Sequence, residues 1–327
     1  MSGTVLVAIG GNALVLDGEH ATVERQQERA GEFGEMVADL VDEGWKVLVT
    51  HGNGPQVGFI LRRGELVAPE ADLEGLPALP LWLAVADSQG GIGHLIALAI
   101  DSALQRRGSD QVAVAVLTHC EVAADDPAFA EPDKPIGSAM TTETARRRVS
   151  EEGWSVIETA PGSFRRVVAS PHPVRVLEAG QIRRLVGDGD VVIAAGGGGI
   201  PVVREATGLR GVDAVIDKDR ASALLAQEAG VDTLVLVTGV DEVYVGFGTP
   251  GQRALRRTDP EELSALLAAG EFPAGSMGPK IESALEFVAA GGRHAVITSL
   301  PRLRSALAGD AGTHVRARKG PGSEETH

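Results

Sequence analysis

Lysine is scarce in this chain. Of 30 basic residues only five are lysine (Lys46, Lys134, Lys218, Lys280 and Lys319), and arginine fills the rest. Aromatic residues are scarce as well, at 3%, which excludes the stacking platforms that hold single-stranded nucleic acid. A positive balance is also missing. The formal charge of -15 at pH 7 argues against nucleic-acid phosphates or an anionic membrane as partner. A single cysteine, Cys120, excludes an intramolecular disulfide framework and fits a reducing cytosol, so a cytoplasmic location is expected. His119 beside it invites a metal reading, but no second cluster completes a closed ligand set, and no metal ligands are assigned. The N-terminal "MSGTVLVAIGGNAL" lacks a basic region and a cleavage site and reads as a first strand, not a signal peptide. The most apolar long segment, 80–104, contains Asp87, Gln89, Gly90, Gly91, Gly93 and His94. That is the pattern of a buried helix and not of a membrane span.

Familiar nucleotide signatures are missing too. There is no G-x-x-x-x-G-K-[ST], no G-x-G-x-x-G after the first strand and no G-x-S-x-G elbow. What the chain does have is regular alternation. Short apolar runs at 4–10, 46–50, 111–117, 190–195, 232–238 and 294–300 read as strands, and helical patterns separate them. Runs hydrophobic on both faces belong in a covered sheet. The fold class is therefore α/β, a sandwich with a mostly parallel central sheet. The section 118–175 breaks the rhythm with "ADDPAFAEPDKPIG" and "SPHPV". It reads as an excursion from the sheet that acts as a lid, against the plainer reading of a long surface loop. The last ten residues, 318–327, read as a disordered tail.

Three glycine clusters fall just past strand ends: Gly10-Gly11-Asn12, Gly52-Asn53-Gly54 and Gly196 to Gly199. In open α/β sheets the ligand crevice lies there. Free backbone N–H groups in such turns make an anion site, so an anionic ligand is expected. Three of the five lysines sit in glycine-, proline- or aspartate-rich turns: Lys134 in "PDKPIG", Lys218 in "IDKDR" and Lys280 in "GSMGPK". Lysine carries a compact charge, whereas arginine carries a wide planar fork. A small phosphoryl group in a tight crevice suits the compact charge, and its transfer depends on positioning and on positive charge. Gly197 and Gly198 would leave room for phosphoryl oxygens. Asp219 either orients neighbouring lysines or simply favours the N-terminus of the helix it begins. Ser276 could cap the helix that carries Lys280.

Ten stretches, in order from residue 7 to about 313, resemble the carbamate kinases of the amino acid kinase family. They are "AIGGNAL", "THGNGPQVG", "DSQGGIGH", "DPAF", "KPIG", "GGGGIPV", "AVIDKDRASALLA", "VDEVYVGFGTP", "FPAGSMGPKIESALEFV" and "ITSL". The resemblance implies a three-layer αβα sandwich, a protruding subdomain over about 118–175 within one kinase domain (1–317), and a homodimer. It implies reversible phosphoryl transfer between carbamoyl phosphate and ADP, giving ATP and carbamate, with Mg²⁺ carried by the nucleotide and often in arginine breakdown. By the same resemblance Gly10, Gly11, Asn12, Gly52 and Asn53 cradle the carbamoyl phosphate side, and Lys134 reaches over it. Lys218 and Lys280 contact the transferring phosphoryl group, Asp219 orients them, and Asp241, Tyr244, Gly275 and Met277 border the nucleotide. Two departures stand out: Gly239 where the family commonly has aspartate, and "KPIGSAM" where it often has "KPIGPFY". Ala8 stands where many wider relatives carry a lysine, a role the subdomain lysine would take over. The competing readings are another amino acid kinase acting on a larger carboxylate and a non-catalytic nucleotide-binding regulator.

Overall fold

The computed structural model describes residues 3–10, 22–67, 79–273 and 277–317. It starts with β1 (Thr4–Ile9), α1 (Val23–Asp42), β2 (Lys46–His51), α2 (Gln56–Val67) and the long α3 (Leu81–Arg106). Next come β3 (Ala113–Ala115), β4 (His119–Val122), β5 (Lys134–Thr141), α4 (Thr142–Glu152), β6 (Ser155–Ala160) and β7 (Ser163–Val168). The middle of the chain forms β8 (Pro173–Val176), α5 (Ala179–Asp188), β9 (Val191–Ala194), β10 (Ile200–Glu205), β11 (Gly208–Gly211), α6 (Lys218–Ala229) and β12 (Thr233–Thr238). The remainder is β13 (Val243–Val245), β14 (Arg253–Leu255), β15 (Arg257–Thr258), α7 (Pro260–Ala268), α8 (Met277–Ala289), β16 (His294–Ser299), α9 (Leu303–Ala308) and β17 (Thr313–Val315).

The order of strands in the central sheet is β15-β17-β16-β12-β1-β2-β9-β3. From β16 to β3 every pairing is parallel; β17 runs antiparallel to β16 at one side. Side chains along β1 alternate between faces, as in any strand. Val5, Val7 and Ile9 join an apolar cluster with Phe33 of α1 and Ile96 of α3. Leu6 and Ala8 join the opposite cluster with Ile182 of α5, Leu225 of α6 and Ile281 of α8. Helices thus cover both faces of the sheet, as the double-sided apolar runs require. The edge strand β3 is shorter than the apolar run 111–117 that announces it, because only β9 pairs with it.

Helix α3 is long and apolar enough to cross a membrane by length and composition. Here it lies in the core: Ile92, Ile96, Ile100 and Leu104 are buried in the same cluster as Phe33 and Leu40 of α1. The two helices approach closely at Gly34, where a Cβ would stand 2.7 Å from the carbonyl oxygen of Ala99. Only glycine permits that crossing.

The irregular section 118–175 divides in two. Strands β4 and β8 pair with each other, and β4 with β10, in a four-stranded sheet that also holds β11. Strands β5, β7 and β6 form a separate antiparallel sheet, crossed by α4. Residues 318–327 lie outside the described residues.

Candidate active site

The glycine turns meet at the C-terminal ends of the parallel strands. Gly52 N–H donates to Ile9 O at 2.9 Å, which ties the end of β2 to the end of β1. After β9 the backbone enters the left-handed region at Ala195 (φ 48°), Gly197 (φ 64°), Gly198 (φ 89°) and Gly199 (φ 89°). The turn is buried. A Cβ on Gly197 would overlap the Asn53 amide, and one on Gly198 would overlap the carbonyl of Ile216. Side chains from below hold the turn in place. Gln89 of α3 donates to Gly196 O (3.0 Å) and Thr118 O (3.1 Å), and its Oε1 accepts from Thr118 N (2.8 Å). Thr118 Oγ1 in turn accepts from Ala195 N at 2.9 Å. Asn53 Nδ2 donates to Ser88 Oγ at 3.2 Å. His51 lies against Gly196. Burial lowers its pKa to about 4, so its imidazole is neutral at physiological pH.

A cleft of about 310 Å³ opens beside this turn, and three lysines from three separate elements reach into it. Lys218 is the first residue of α6, Lys280 lies in the first turn of α8, and Lys134 opens β5. Lys218 Nζ is 2.6 Å from Asp219 Oδ1 and Lys280 Nζ is 2.8 Å from Asp219 Oδ2. One carboxylate therefore spaces two ammonium groups. Lys134 Nζ is 2.7 Å from Asp217 Oδ2. The helix cap is Asp217, and Asp219 lies inside the first turn: Asp217 Oδ1 accepts from Asp219 N at 2.9 Å and from Arg220 N at 3.4 Å. Because the cap is supplied two residues earlier, Asp219 is free to face the lysines. Thr50 of β2 holds this turn down. Its hydroxyl is 2.6 Å from Ser222 Oγ, which donates to Lys218 O at 2.6 Å. Arg220 joins α6 to α8 through Glu282 at 2.8 Å.

Electrostatics follow from this geometry. Burial alone would raise the Asp219 carboxyl, but the charges of Lys218 and Lys280 overcome it and hold the group at about 2. Burial lowers the pKa of Lys218, and Asp219 works against that shift. At Asp217 burial again pushes upward, and the Lys134 ammonium outweighs it, so the carboxyl ends below its ordinary value. The cleft holds three ammonium groups with two carboxylates spaced between them, a set of donors suited to a compact multivalent anion.

Of the residues singled out in the sequence, Gly52, Asn53, Lys134, Gly197, Lys218, Asp219 and Lys280 line one cleft. Gly10 ends β1 beside Gly52, and Gly198 packs beneath the turn on Ile216. Asp241, Tyr244 and Met277 lie outside the cleft's lining. Asp241 follows β12 and accepts from Ser299 Oγ at 2.5 Å, and Tyr244 on β13 donates to Glu242 Oε2 at 3.3 Å. Met277 starts α8, one turn before Lys280. Gly11, Asn12, Gly275 and Ser276 fall outside the described residues. Gly239 has open space around it, so its lack of a side chain relieves no crowding. His119 Nδ1 is 2.8 Å from Glu178 Oε1, and Cys120 is buried in the core. Sequence reasoning missed the grip of Asp217 on Lys134 and the Gln89–Thr118 clamp. Neither had a signal in the sequence, since in both the partners are far apart in the chain.

The chain matches the model of the amino acid kinase family over residues 3–299. It is 45% identical over 318 residues to the carbamate kinase-like protein YahI of Escherichia coli, covering 96% of this chain and 99% of that one. It is 42% identical over 311 residues to a carbamate kinase of Pyrococcus horikoshii, covering 95% and 98%. Among solved structures, carbamate kinase from Giardia lamblia bound to AMP-PNP superposes with a TM-score of 0.89 at 35% identity, covering 97% of this chain and 99% of that one. Likeness on this scale spans the sheet, both helical layers and all three lysine-bearing elements, and the chain belongs to the amino acid kinase family, among the carbamate kinases and carbamate kinase-like proteins.

Proposed function

We propose that this kinase is an ATP:carbamate phosphotransferase. It moves a phosphoryl group reversibly between carbamoyl phosphate and ADP, giving ATP and carbamate. The observation that carries the reading is the triad of ammonium groups, Lys134, Lys218 and Lys280, set by Asp217 and Asp219 around one small cleft. In the forward direction the bond from phosphorus to the carbamoyl oxygen breaks, and a bond from phosphorus to a β-phosphate oxygen of ADP forms. Such a transfer asks the protein for alignment and for positive charge on the moving oxygens. Lys218 and Lys280 neutralise those oxygens from below, and Lys134 does so from the three-stranded sheet above. The backbone of Gly10, Gly52, Asn53 and Gly197, with Gly11 and Asn12, cradles the carbamoyl phosphate side. Asp241, Tyr244, Gly275 and Met277 border the nucleotide.

Among the described residues no group of three His, Cys, Asp or Glu side chains could hold a metal ion. Both cleft carboxylates are also committed to lysines. In this reading Mg²⁺ travels with the nucleotide phosphates as part of the substrate. The three-stranded sheet over 134–168 serves as a lid that carries Lys134 over the substrate. A cytoplasmic setting in arginine catabolism fits the same reaction. A second copy of the chain would pack on α3 and the β3 edge, where Leu98, Leu117 and Val112 are exposed. The deciding assay is ATP formation from carbamoyl phosphate, ADP and Mg²⁺, with acetylglutamate and ATP as the rival pair. Turnover of the rival alone, or ADP binding without turnover of either pair, overturns the reading.

A further inference from the structure

We infer that Asp217 is a positioning residue: its carboxylate registers Lys134, on the three-stranded sheet, to the helix turn that carries Lys218 and Asp219. The kinetic part of this inference rests on the proposed phosphoryl transfer; its first test does not.

Two oxygens of one carboxylate do two jobs. Oδ1 caps α6 through the N–H groups of Asp219 and Arg220, and Oδ2 takes the Lys134 ammonium at 2.7 Å. Capping alone needs one acceptor. At α1 and α4 this chain caps with the single hydroxyls of Thr22 and Thr141. A second, charged oxygen at Asp217 is surplus to a cap and is turned toward a residue 83 positions away. No other carboxylate in the cleft's lining serves Lys134, because both oxygens of Asp219 are taken by Lys218 and Lys280. The backbone supplies an independent observation. Lys134 pairs with Val168 in the three-stranded sheet, and the next residue, Ala169, bridges to Ala214 and accepts from Val215 N at 3.0 Å. The three-stranded sheet is therefore already stitched to the strand-like segment running into Asp217. The Lys134–Asp217 pair extends that seam from backbone to side chain and sets where the ammonium stops. A lysine side chain has four rotatable bonds, so without such a stop its head would spread over many positions.

The test is the rate of amine acetylation at Lys134 in the substrate-free protein, read by mass spectrometry against Lys46 in the same molecule. Asp217→Asn keeps a capping oxygen and removes the charge. It is expected to raise the Lys134 to Lys46 labelling ratio by about fivefold or more, since the freed amine loses the carboxylate that holds it. Asp217→Ser, which keeps only the cap, is expected to do the same and stands in if the first variant folds poorly. A ratio within twofold of the parent in a folded variant shows that Asp217 only caps, and the inference fails. The kinetic arm is a double-mutant cycle. Asp217→Asn is expected to lower kcat/KM for carbamoyl phosphate roughly tenfold, the scale of one charged hydrogen bond, and to add less than twofold in a Lys134→Ala background. Full additivity overturns the inference. If no carbamoyl phosphate activity exists in the parent, the labelling arm still decides, so the two readings fail separately.

Discussion

Replacing Lys218 with arginine keeps the charge and tests whether the cleft needs its shape. The Lys218 side chain is 15% exposed and ends 2.6 Å from Asp219 Oδ1, while the other oxygen of that carboxylate holds Lys280 at 2.8 Å. A guanidinium is longer and planar, and it needs a fork-shaped acceptor. Gly197 and Asn53, which pack on each other, wall the same cleft. The guanidinium must therefore push Asp219 away from Lys280 or swing out of the cleft. Either outcome removes one preorganised donor from the developing charge, a loss of about 10²–10³ in rate, or roughly 2.7–4 kcal/mol. Lys218→Ala should lose at least as much. The assay is carbamoyl-phosphate-dependent ATP synthesis by the purified, folded variant. Activity within about threefold of the parent, under half a decade on the rate scale, would refute the reasoning. Arginine would then serve at this position as it does at the 25 sites where the chain already carries it.

Lys134→Ala should cut turnover strongly and leave ADP affinity nearly unchanged, since the residue arrives from the three-stranded sheet; equal loss of ADP binding by calorimetry would move it to the nucleotide side. Asp219→Asn leaves two largely buried ammonium groups without their shared counter-ion, so unfolding in urea should show a loss of about 3 kcal/mol or more, and a variant as stable as the parent would contradict the buried pairing. Acid should weaken the fold through its buried histidines. Burial lowers His51 to about 4 and His294 to about 3, below the unfolded value, so their contribution is complete above about pH 6.5 and is lost as pH falls toward the folded values. Between pH 6.5 and 5.5 the pair should cost about 2 kcal/mol, a drop of about 3 °C in Tm; a Tm flat across that interval would show that one or both take up protons when folded. Light scattering at micromolar concentration should return twice the monomer mass, and a monomer would leave the exposed face of α3 without its second copy.

The fold was legible wherever burial is two-sided. Val5 to Ile9 and Val47 to Val49 are apolar at every position because helices cover both faces, and such runs cannot be mistaken for surface strands. Legibility failed where short strands carry few apolar residues. His119–Val122 and Pro173–Val176 flank prolines and acidic turns, so they read as part of the excursion, yet they pair in the sheet that holds β10. Within 118–175, 134–168 alone stands apart as its own sheet. At the site, the glycine turns and the lysines announced themselves by residue type. Their pairing did not. Adjacency in "IDKDR" offers Lys218 two equivalent aspartates, and only the cap decides between them. Once Asp217 spends one oxygen on the N–H groups of α6, its other oxygen faces Lys134, and Asp219 is left for Lys218 and Lys280.

That division of partners explains how a chain with formal charge -15 can serve an anion. Net charge acts at a distance and is screened within about 10 Å at ordinary ionic strength. Inside the cleft the count is local: three ammonium groups against two carboxylates leave one positive charge. The backbone N–H groups of the glycine turns add to it. A phosphoryl group brings roughly two negative charges, so the site is close to balanced when one is present. Removing an aspartate would raise the local charge, yet it is expected to impair function, because the aspartates spend charge to obtain position. Scarcity of lysine is informative for the same reason. Where only charge matters, arginine has replaced it across the chain; the three lysines of the cleft stand where a carboxylate must fix an ammonium within hydrogen-bond distance and leave room for phosphoryl oxygens between them.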